Sequence, residues 1–149
     1  MGSSSLSWSE IERCARTLAG KVRDTDVVFD KIATVSRGGL IPARLLADQL
    51  DIKTILVDKY LIPEKTLFVD DIYDSGKTFR KIAFKTKSPS TFVYATLMAR
   101  KGIRYPKQLV YARKTRGNEY IIFPWEKNER QKSHNTKDKK QTVSKPGNN

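Results

Sequence analysis

Residues 69–78 read VDDIYDSGKT and follow the apolar run TLF at 66–68. A short apolar run of this kind is typical of a buried strand. Two adjacent carboxylates, Asp70 and Asp71, stand at its end, where their burial is costly unless a cation or a hydrogen-bond donor meets them. A magnesium ion or a polyhydroxylated sugar would supply such partners. The end of this strand is therefore the predicted centre of a binding site.

The residues that follow the two carboxylates predict an anion site. DSGKT at 74–78 places small residues and hydroxyls where a loop enters a predicted helix, and backbone N–H groups at such a junction bind phosphate. Carboxylates followed by a phosphate site describe a pocket for a ribose 5-phosphate. A P-loop is excluded because its first glycine would fall at Asp71. The plainer alternative is a helix cap formed by Asp74 or Ser75.

A second glycine-bearing turn follows another predicted strand. The strand KIATVS at 31–36 leads into Arg37, Gly38 and Gly39. These residues combine a permanent positive charge with a conformationally flexible backbone. By itself such a turn is a weak signal. Beside the first motif it predicts a second anion site, so that a molecule with phosphates at both ends of a ribose would bridge the two loops.

Helical and extended patterns alternate along the chain. We expect helices over 8–22, 40–50 and 76–84, and strands over 31–36, 54–60, 66–71, 90–99, 109–112 and 119–123. This order predicts an α/β fold with a mostly parallel sheet covered by helices on both faces. Ligands of such sheets bind outside the carboxyl ends of the strands.

Cys14 lies on the apolar stripe of the first helix, which favours a buried structural thiol over a nucleophile.

Length and charge limit the function classes. The chain has 149 residues, 29 Lys and Arg against 16 Asp and Glu, and a formal net charge of +13. It has no apolar run long enough for a membrane span and only one cysteine. We expect a cytoplasmic protein with a disordered N-terminus at 1–5, in part of artificial origin, one folded domain at 6–126, and a basic disordered tail at 127–149. The tail composition alone also allows a salt-sensitive contact with nucleic acid.

The two strand-end motifs resemble those of a known family. VDDIYDSGKT at 69–78 is similar to the phosphoribosyl-pyrophosphate signature of the type I phosphoribosyltransferases, and VSRGGLIPA at 35–43 resembles the pyrophosphate loop of their purine-using members. EYIIFPWE at 119–126 resembles the base-binding strand of the small xanthine-guanine and archaeal-type purine enzymes. The resemblance covers residues 6–126. It implies a Rossmann-like type I phosphoribosyltransferase fold, with a reduced hood and a shortened flexible loop.

The resemblance implies a reaction and a set of site residues. A purine base and phosphoribosyl pyrophosphate would give a nucleoside 5'-monophosphate and pyrophosphate, with Mg²⁺ held mainly through the substrate. The implied roles are ribose and metal contacts for Asp70 and Asp71, proton transfer at purine N7 for Asp74, 5-phosphate binding for Asp74, Ser75, Gly76, Lys77 and Thr78, and pyrophosphate binding for Ser36, Arg37, Gly38 and Gly39. In relatives the peptide bond between Ser36 and Arg37 is often cis.

Base recognition rests on weaker matches to the family. Relatives place a lysine after the strand that follows the signature helix, and here Arg100 stands at that position with Lys101 beside it. Tyr120 is expected to stack on the purine, and the backbone at Ile121 to meet its edge. Surface charge for the cations and strand packing for Tyr120 are the open alternatives. Glu126 is a minor candidate for a second metal contact.

One departure from the family concerns the loop that covers the site in relatives. Only residues 61–65 separate the predicted strands at 54–60 and 66–71, too few for a lid that excludes water. The primary hypothesis is a Mg²⁺-dependent phosphoribosyltransferase for 6-oxopurines, acting in purine salvage as a homodimer or tetramer, with efficiency reduced by this loop. The alternative is a non-catalytic regulator that binds phosphoribosyl pyrophosphate or a nucleotide and contacts nucleic acid through its basic surface.

Overall fold

The computed structural model describes residues 2–126. The helices are α1 (Trp8–Arg23), α2 (Leu40–Leu50) and α3 (Lys77–Ala83); the strands are β1 (Ser3–Ser5), β2 (Lys31–Thr34), β3 (Thr54–Val57), β4 (Thr66–Tyr73), β5 (Tyr94–Ala99), β6 (Leu109–Lys114) and β7 (Tyr120–Ile122). The basic tail predicted at 127–149 lies outside the described residues.

Five strands form one parallel sheet in the order β3-β2-β4-β5-β6. Helices α1 and α2 pack on one face through an apolar cluster that includes Ile11, Leu18 and Leu46, all fully buried. Helix α3 contributes Ile82 to the cluster on the other face, with Phe68 and Tyr94 of the sheet. The predicted α/β architecture, with a parallel sheet covered on both faces, is confirmed. Strands β2 and β4 are neighbours, so the two predicted anion loops leave the sheet side by side.

The first helix forms where its sequence predicts it. Ser7 caps α1, since its hydroxyl accepts from the Glu10 N–H at 3.1 Å while the Glu10 carboxylate accepts from the Ser7 N–H at 2.8 Å. This reciprocal pair satisfies two N–H groups that a helix leaves open at its start. Cys14 is buried and makes no disulfide, and burial raises the pKa of its thiol. A structural thiol fits this environment.

The expectation that residues 1–5 are disordered is wrong for 3–5. Ser3–Ser5 forms β1 and pairs in parallel with β7, in the register Ser4 to Ile121. We call this two-stranded sheet the hood. The three serines bury little apolar surface. Backbone hydrogen bonds hold the strand, and Leu6, which follows it, is buried in the same apolar cluster as Phe123. The reduced hood that the resemblance implies is therefore built from both ends of the domain.

The strand predicted over 54–60 is too long. Strand β3 ends at Val57 because Asp58 adopts a left-handed backbone conformation, with φ of 53°. The connection to β4 therefore spans 58–65 rather than 61–65. Ile62 binds this connection to the segment after α3, since its N–H donates to the Lys85 carbonyl at 2.8 Å and its carbonyl accepts from the Lys87 N–H at 3.2 Å. The short loop is fixed to the body of the domain.

Within residues 2–126, no helix is long and apolar enough to cross a membrane.

Candidate active site

The carboxylate pair stands at the carboxyl end of β4. Asp70 is buried; its carboxylate accepts from the Asp71 N–H at 2.8 Å and from the Tyr94 hydroxyl at 3.1 Å. The Asp71 carboxylate is half-buried and accepts from the Ile72 N–H at 2.7 Å. These donors offset only part of the cost of placing two carboxylates together. The site therefore favours a ligand that brings hydroxyls or positive charge.

Burial and mutual repulsion set the protonation of this pair. Burial raises the pKa of Asp70 above its ordinary value. Burial, followed by the charge of Asp70, raises the pKa of Asp71 to about 8. Burial and the same Asp70 charge raise the pKa of the Tyr94 phenol, which therefore stays a donor to Asp70. Near neutral pH the pair holds a proton, which a ligand with hydroxyl donors or a bound cation would displace.

The loop over 74–78 surrounds a small cavity next to the pair. The cavity has a volume of about 160 Å³ and is lined by residues 70–79 and Tyr94. Gly76 takes φ of +83°, and a Cβ there would lie 2.6 Å from the Tyr73 hydroxyl, so the turn requires glycine. The Arg80 side chain lies back over the turn, and its Nη1 donates to the Ser75 carbonyl at 3.4 Å. The predicted 5-phosphate residues are thus gathered around one cavity, with an additional cation beside it.

The loop over 36–39 meets the carboxylate pair directly. A Cβ on Gly38 would lie 2.6 Å from Asp71 Oδ2, and one on Gly39 would lie 1.9 Å from the Thr34 hydroxyl oxygen. Both positions therefore exclude a side chain. The Ser36–Arg37 peptide is cis, as the resemblance implies. The two motifs, separated by about thirty residues of sequence, form one continuous surface.

Asp58 holds this second loop in place. Its carboxylate accepts from the Ser36 N–H at 2.9 Å and from the Ser36 hydroxyl, and these hydrogen bonds lower the pKa of Asp58. Asp58 was not among the predicted site residues. It follows the strand next to β2, so the rule that ligands gather at strand ends is a signal that would have found it.

The candidate base-binding residues are placed in different ways. Arg100 follows β5 and its guanidinium Nε donates to Asp74 Oδ1 at 3.0 Å. The Lys101 side chain is exposed, and the backbone N–H of Lys101 donates to the Thr115 hydroxyl at 3.0 Å. Tyr120 is 51% exposed on the hood, whereas the Ile121 side chain is buried in the core. Only the backbone of Ile121 remains available to a base, so its predicted role and that of Tyr120 stay predictions.

The metal contacts that the resemblance implies fall on Asp70, Asp71 and Glu126. Within residues 2–126 no group of three or more His, Cys, Asp and Glu side chains is placed to hold a metal ion. The Glu126 carboxylate accepts from the Phe123 N–H at 3.3 Å, and its predicted metal contact stays a prediction. The Asp70 and Asp71 pair fits a cation that is bound chiefly by the substrate, because it presents negative charge without a closed ligand set.

The sheet order, the carboxylate pair after its central strand and the two flanking loops match the type I phosphoribosyltransferase fold. Among proteins of known activity, the chain is similar to small purine enzymes of this fold. It is 29% identical to the xanthine-guanine phosphoribosyltransferase of Desulfotalea psychrophila over 140 residues, covering 81% of this chain and 84% of that one. A scan against protein-family models finds no match.

Solved structures agree with this assignment. The purine phosphoribosyltransferase of Pyrococcus horikoshii superposes with a TM-score of 0.67 at 28% identity, covering 84% of this chain and 94% of that one. The xanthine-guanine-hypoxanthine phosphoribosyltransferase of Helicobacter pylori superposes with a TM-score of 0.71 at 20% identity, covering 87% and 98%. At that identity the second likeness concerns the fold alone.

Proposed function

We propose that this protein transfers the 5-phosphoribosyl group from phosphoribosyl pyrophosphate to a 6-oxopurine, which yields a nucleoside 5'-monophosphate and pyrophosphate. The observation that carries the proposal is the contact between the two loops: Gly38 lies against the Asp71 carboxylate, and Asp71 also lines the cavity of residues 70–79. A ribose on the carboxylate pair would extend its two phosphates into opposite loops.

Each part of the site has a role in this reaction. Asp70 and Asp71 would accept hydrogen bonds from the ribose hydroxyls and stabilise positive charge on the ribose ring as the bond to pyrophosphate breaks. The backbone N–H groups and hydroxyls over 74–78 would bind the 5-phosphate, while the loop over 36–39 would bind the leaving pyrophosphate. Asp74 would accept the proton that the purine loses at N7.

Magnesium would be held mainly by the oxygens of the substrate, with Asp70 and Asp71 as the residues of the chain that contribute to its binding. When bound, it would neutralise charge on the departing pyrophosphate. The chain supplies orientation, since Tyr94 holds Asp70 and Asp58 holds Ser36. We expect slow turnover, because the connection over 58–65 is bound through Ile62 to the segment after α3 and does not provide a closing lid. The reaction belongs to purine salvage, and we infer a cytoplasmic enzyme that forms a homodimer or tetramer.

A variant of Asp74 tests the reaction and the proton transfer together. Wild-type protein mixed with phosphoribosyl pyrophosphate, Mg²⁺ and hypoxanthine, guanine or xanthine should form nucleotide, followed by ultraviolet absorbance. Asp74→Asn should lower kcat by about 100-fold or more while the melting temperature stays within a few degrees. Asp48→Asn, on the exposed face of α2, is the matched control. Undiminished activity of Asp74→Asn would contradict the role of Asp74.

A second candidate function is a regulator that contacts nucleic acid. The observation that favours it is a basic and aromatic surface on the edge strand β6, where Lys21 lies 4.9 Å from the centre of the Tyr111 ring and Lys114 lies 5.5 Å from that of Tyr105. A chain that binds phosphoribosyl pyrophosphate without turnover, and binds single-stranded RNA in a salt-dependent manner, would support this function over the enzyme.

A further inference from the structure

The guanidinium of Arg100 joins the candidate catalytic carboxylate to the loop before β7. Its Nε donates to Asp74 Oδ1 at 3.0 Å, and its Nη1 donates to the backbone carbonyls of Gly117 at 3.1 Å and Glu119 at 2.7 Å. The Arg100 side chain is 13% exposed, whereas that of Asp74 is 61% exposed. Arg100 is therefore an internal connection rather than a surface cation.

The backbone of Arg100 is held as firmly as its side chain. Its N–H donates to the Tyr73 carbonyl at 2.8 Å, at the end of β4. Its carbonyl accepts from the Tyr105 hydroxyl at 2.6 Å. The guanidinium therefore leaves the sheet from a fixed point, and its planar fork of donors has one orientation.

The loop that Arg100 contacts, residues 115–119, is held in place by its own internal hydrogen bonds. The Glu119 carboxylate accepts from the Gly117 N–H at 2.8 Å, and the Thr115 hydroxyl donates to the Gly117 carbonyl at 2.9 Å. The Glu119 carboxylate also lies 3.9 Å from Arg100 Nη1. The hydrogen bonds that the Glu119 carboxylate accepts from the backbone N–H groups of Gly117 and Arg116 lower its pKa, so Glu119 stays charged beside the guanidinium. The carbonyls that receive Arg100 are thus held in place, and they directly precede Tyr120 of the hood.

We propose that Arg100 is a positioning residue, which fixes the Asp74 carboxylate relative to the hood and acts on the purine only through Asp74. This inference rests on the proposed phosphoribosyl transfer. The resemblance implied that Arg100 contacts the base itself, as the lysine of relatives does. The structure instead commits its Nε and Nη1 to Asp74 and to the two carbonyls.

Lysine would not reproduce this arrangement. An ammonium is a compact charge on a flexible stem, and it lacks the planar fork that bonds a carboxylate on one side and carbonyls on the other. Arg100→Lys would keep a positive charge near Asp74 but lose the tie to Gly117 and Glu119. Arg100→Gln would lose both. The two variants therefore separate the effect of charge from the effect of orientation.

A double-mutant cycle between Arg100 and Asp74 tests the proposal. Arg100→Gln should lower kcat about 10- to 100-fold, the cost of a misplaced catalytic group, with KM for the base changed less than about threefold. In an Asp74→Asn background the same substitution should lower the residual rate by less than about twofold, because its effect passes through Asp74. Arg100→Lys should recover part of kcat. Arg104→Gln, an exposed arginine in the following loop, should leave both constants unchanged.

Direct base recognition predicts a different result. If Arg100 bound the base directly, Arg100→Gln would raise KM for the base about tenfold or more with kcat retained, and the effect would persist in the Asp74→Asn background. Either observation overturns the proposal. If Arg100→Gln fails to fold, Arg100→Lys provides the same comparison, since its cycle with Asp74→Asn distinguishes the same two outcomes.

A binding measurement separates this proposal from the proposed function. If the wild-type chain forms no nucleotide from any base, the proposed function fails. The four proteins of the cycle (wild type, Arg100→Gln, Asp74→Asn and the double variant) are then titrated with guanosine monophosphate by calorimetry. Weaker binding by Arg100→Gln, with no further loss in the Asp74→Asn background, supports the positioning role. Equal affinities in all four proteins, or no binding at all, overturn it.

Discussion

Asp71→Asn should stabilise the protein, and the gain should grow with pH. The pKa of Asp71 is raised from 3.8 to about 8, first by burial and then by the charge of Asp70. The folded protein therefore keeps a proton at Asp71 that the unfolded chain releases above pH 4. The contribution of Asp71 to wild-type stability must therefore fall as the pH rises from about 4 to about 8. Asparagine resembles the protonated carboxyl and does not titrate, so the variant lacks this loss.

The expected size of this stability difference follows from the pKa shift of Asp71. One pKa unit corresponds to about 1.4 kcal/mol, and solvent reaches the half-buried Asp71 carboxyl and screens part of the penalty. We expect the difference in free energy of unfolding between variant and wild type to increase by about 1–3 kcal/mol between pH 5 and pH 7.5. The same variant should bind phosphoribosyl pyrophosphate more weakly, because asparagine cannot supply the second negative charge that the carboxylate pair gains when a ligand displaces its proton.

Urea unfolding at both pH values measures the first effect, and calorimetry with phosphoribosyl pyrophosphate and Mg²⁺ measures the second. Asp48→Asn is the control for loss of a carboxylate on an exposed helix face. A difference between Asp71→Asn and wild type that does not change with pH would refute the assignment of the proton to Asp71. Unchanged affinity for phosphoribosyl pyrophosphate would show that the ribose does not bind at this pair.

Three further outcomes follow from the packing. Gly39→Ala should lower the free energy of unfolding by about 3 kcal/mol, because the new methyl displaces the buried Thr34 hydroxyl from its hydrogen bond to the Val69 carbonyl. The control is Gly117→Ala, where an added Cβ meets nothing within 4 Å. It should change the free energy of unfolding, measured by chemical denaturation, by less than about 0.5 kcal/mol. Ser7→Ala should cost about 1 kcal/mol through loss of the α1 cap, measured in the same way. A thiol reagent should label Cys14 only as fast as the protein unfolds, since the thiol is buried and its pKa is raised; labelling much faster than unfolding would contradict its burial.

The sequence carries enough information for the sheet and for the position of the site. The apolar runs in β2, β4 and β5 and the glycine-bearing loops after β2 and β4 are local signals, and the rule for parallel sheets turns them into a shared edge. Asp70, Asp71 and Gly38 lie where that rule places them. The helix over Trp8–Arg23 is predicted from its apolar stripe, and its capping box is a finding of the structure.

Other features depend on contacts between distant segments. Strand β1 has no apolar pattern, because its backbone pairing with β7 holds it in place. The hydrogen bonds from Ser36 to Asp58 and from Tyr94 to Asp70 depend on which strands are neighbours, and the local sequence does not show this. Arg100 reads as a surface or base-binding cation, and only the folded chain brings its guanidinium to Asp74 and to the carbonyls before β7.

The most direct test of the central claim is nucleotide formation from phosphoribosyl pyrophosphate, Mg²⁺ and each of hypoxanthine, guanine, xanthine and adenine, compared between wild type and Asp74→Asn. The account predicts a nucleoside monophosphate from at least one 6-oxopurine, none from adenine, and loss of the reaction in the variant. Absence of product with every base, together with no binding of phosphoribosyl pyrophosphate by calorimetry, would contradict it.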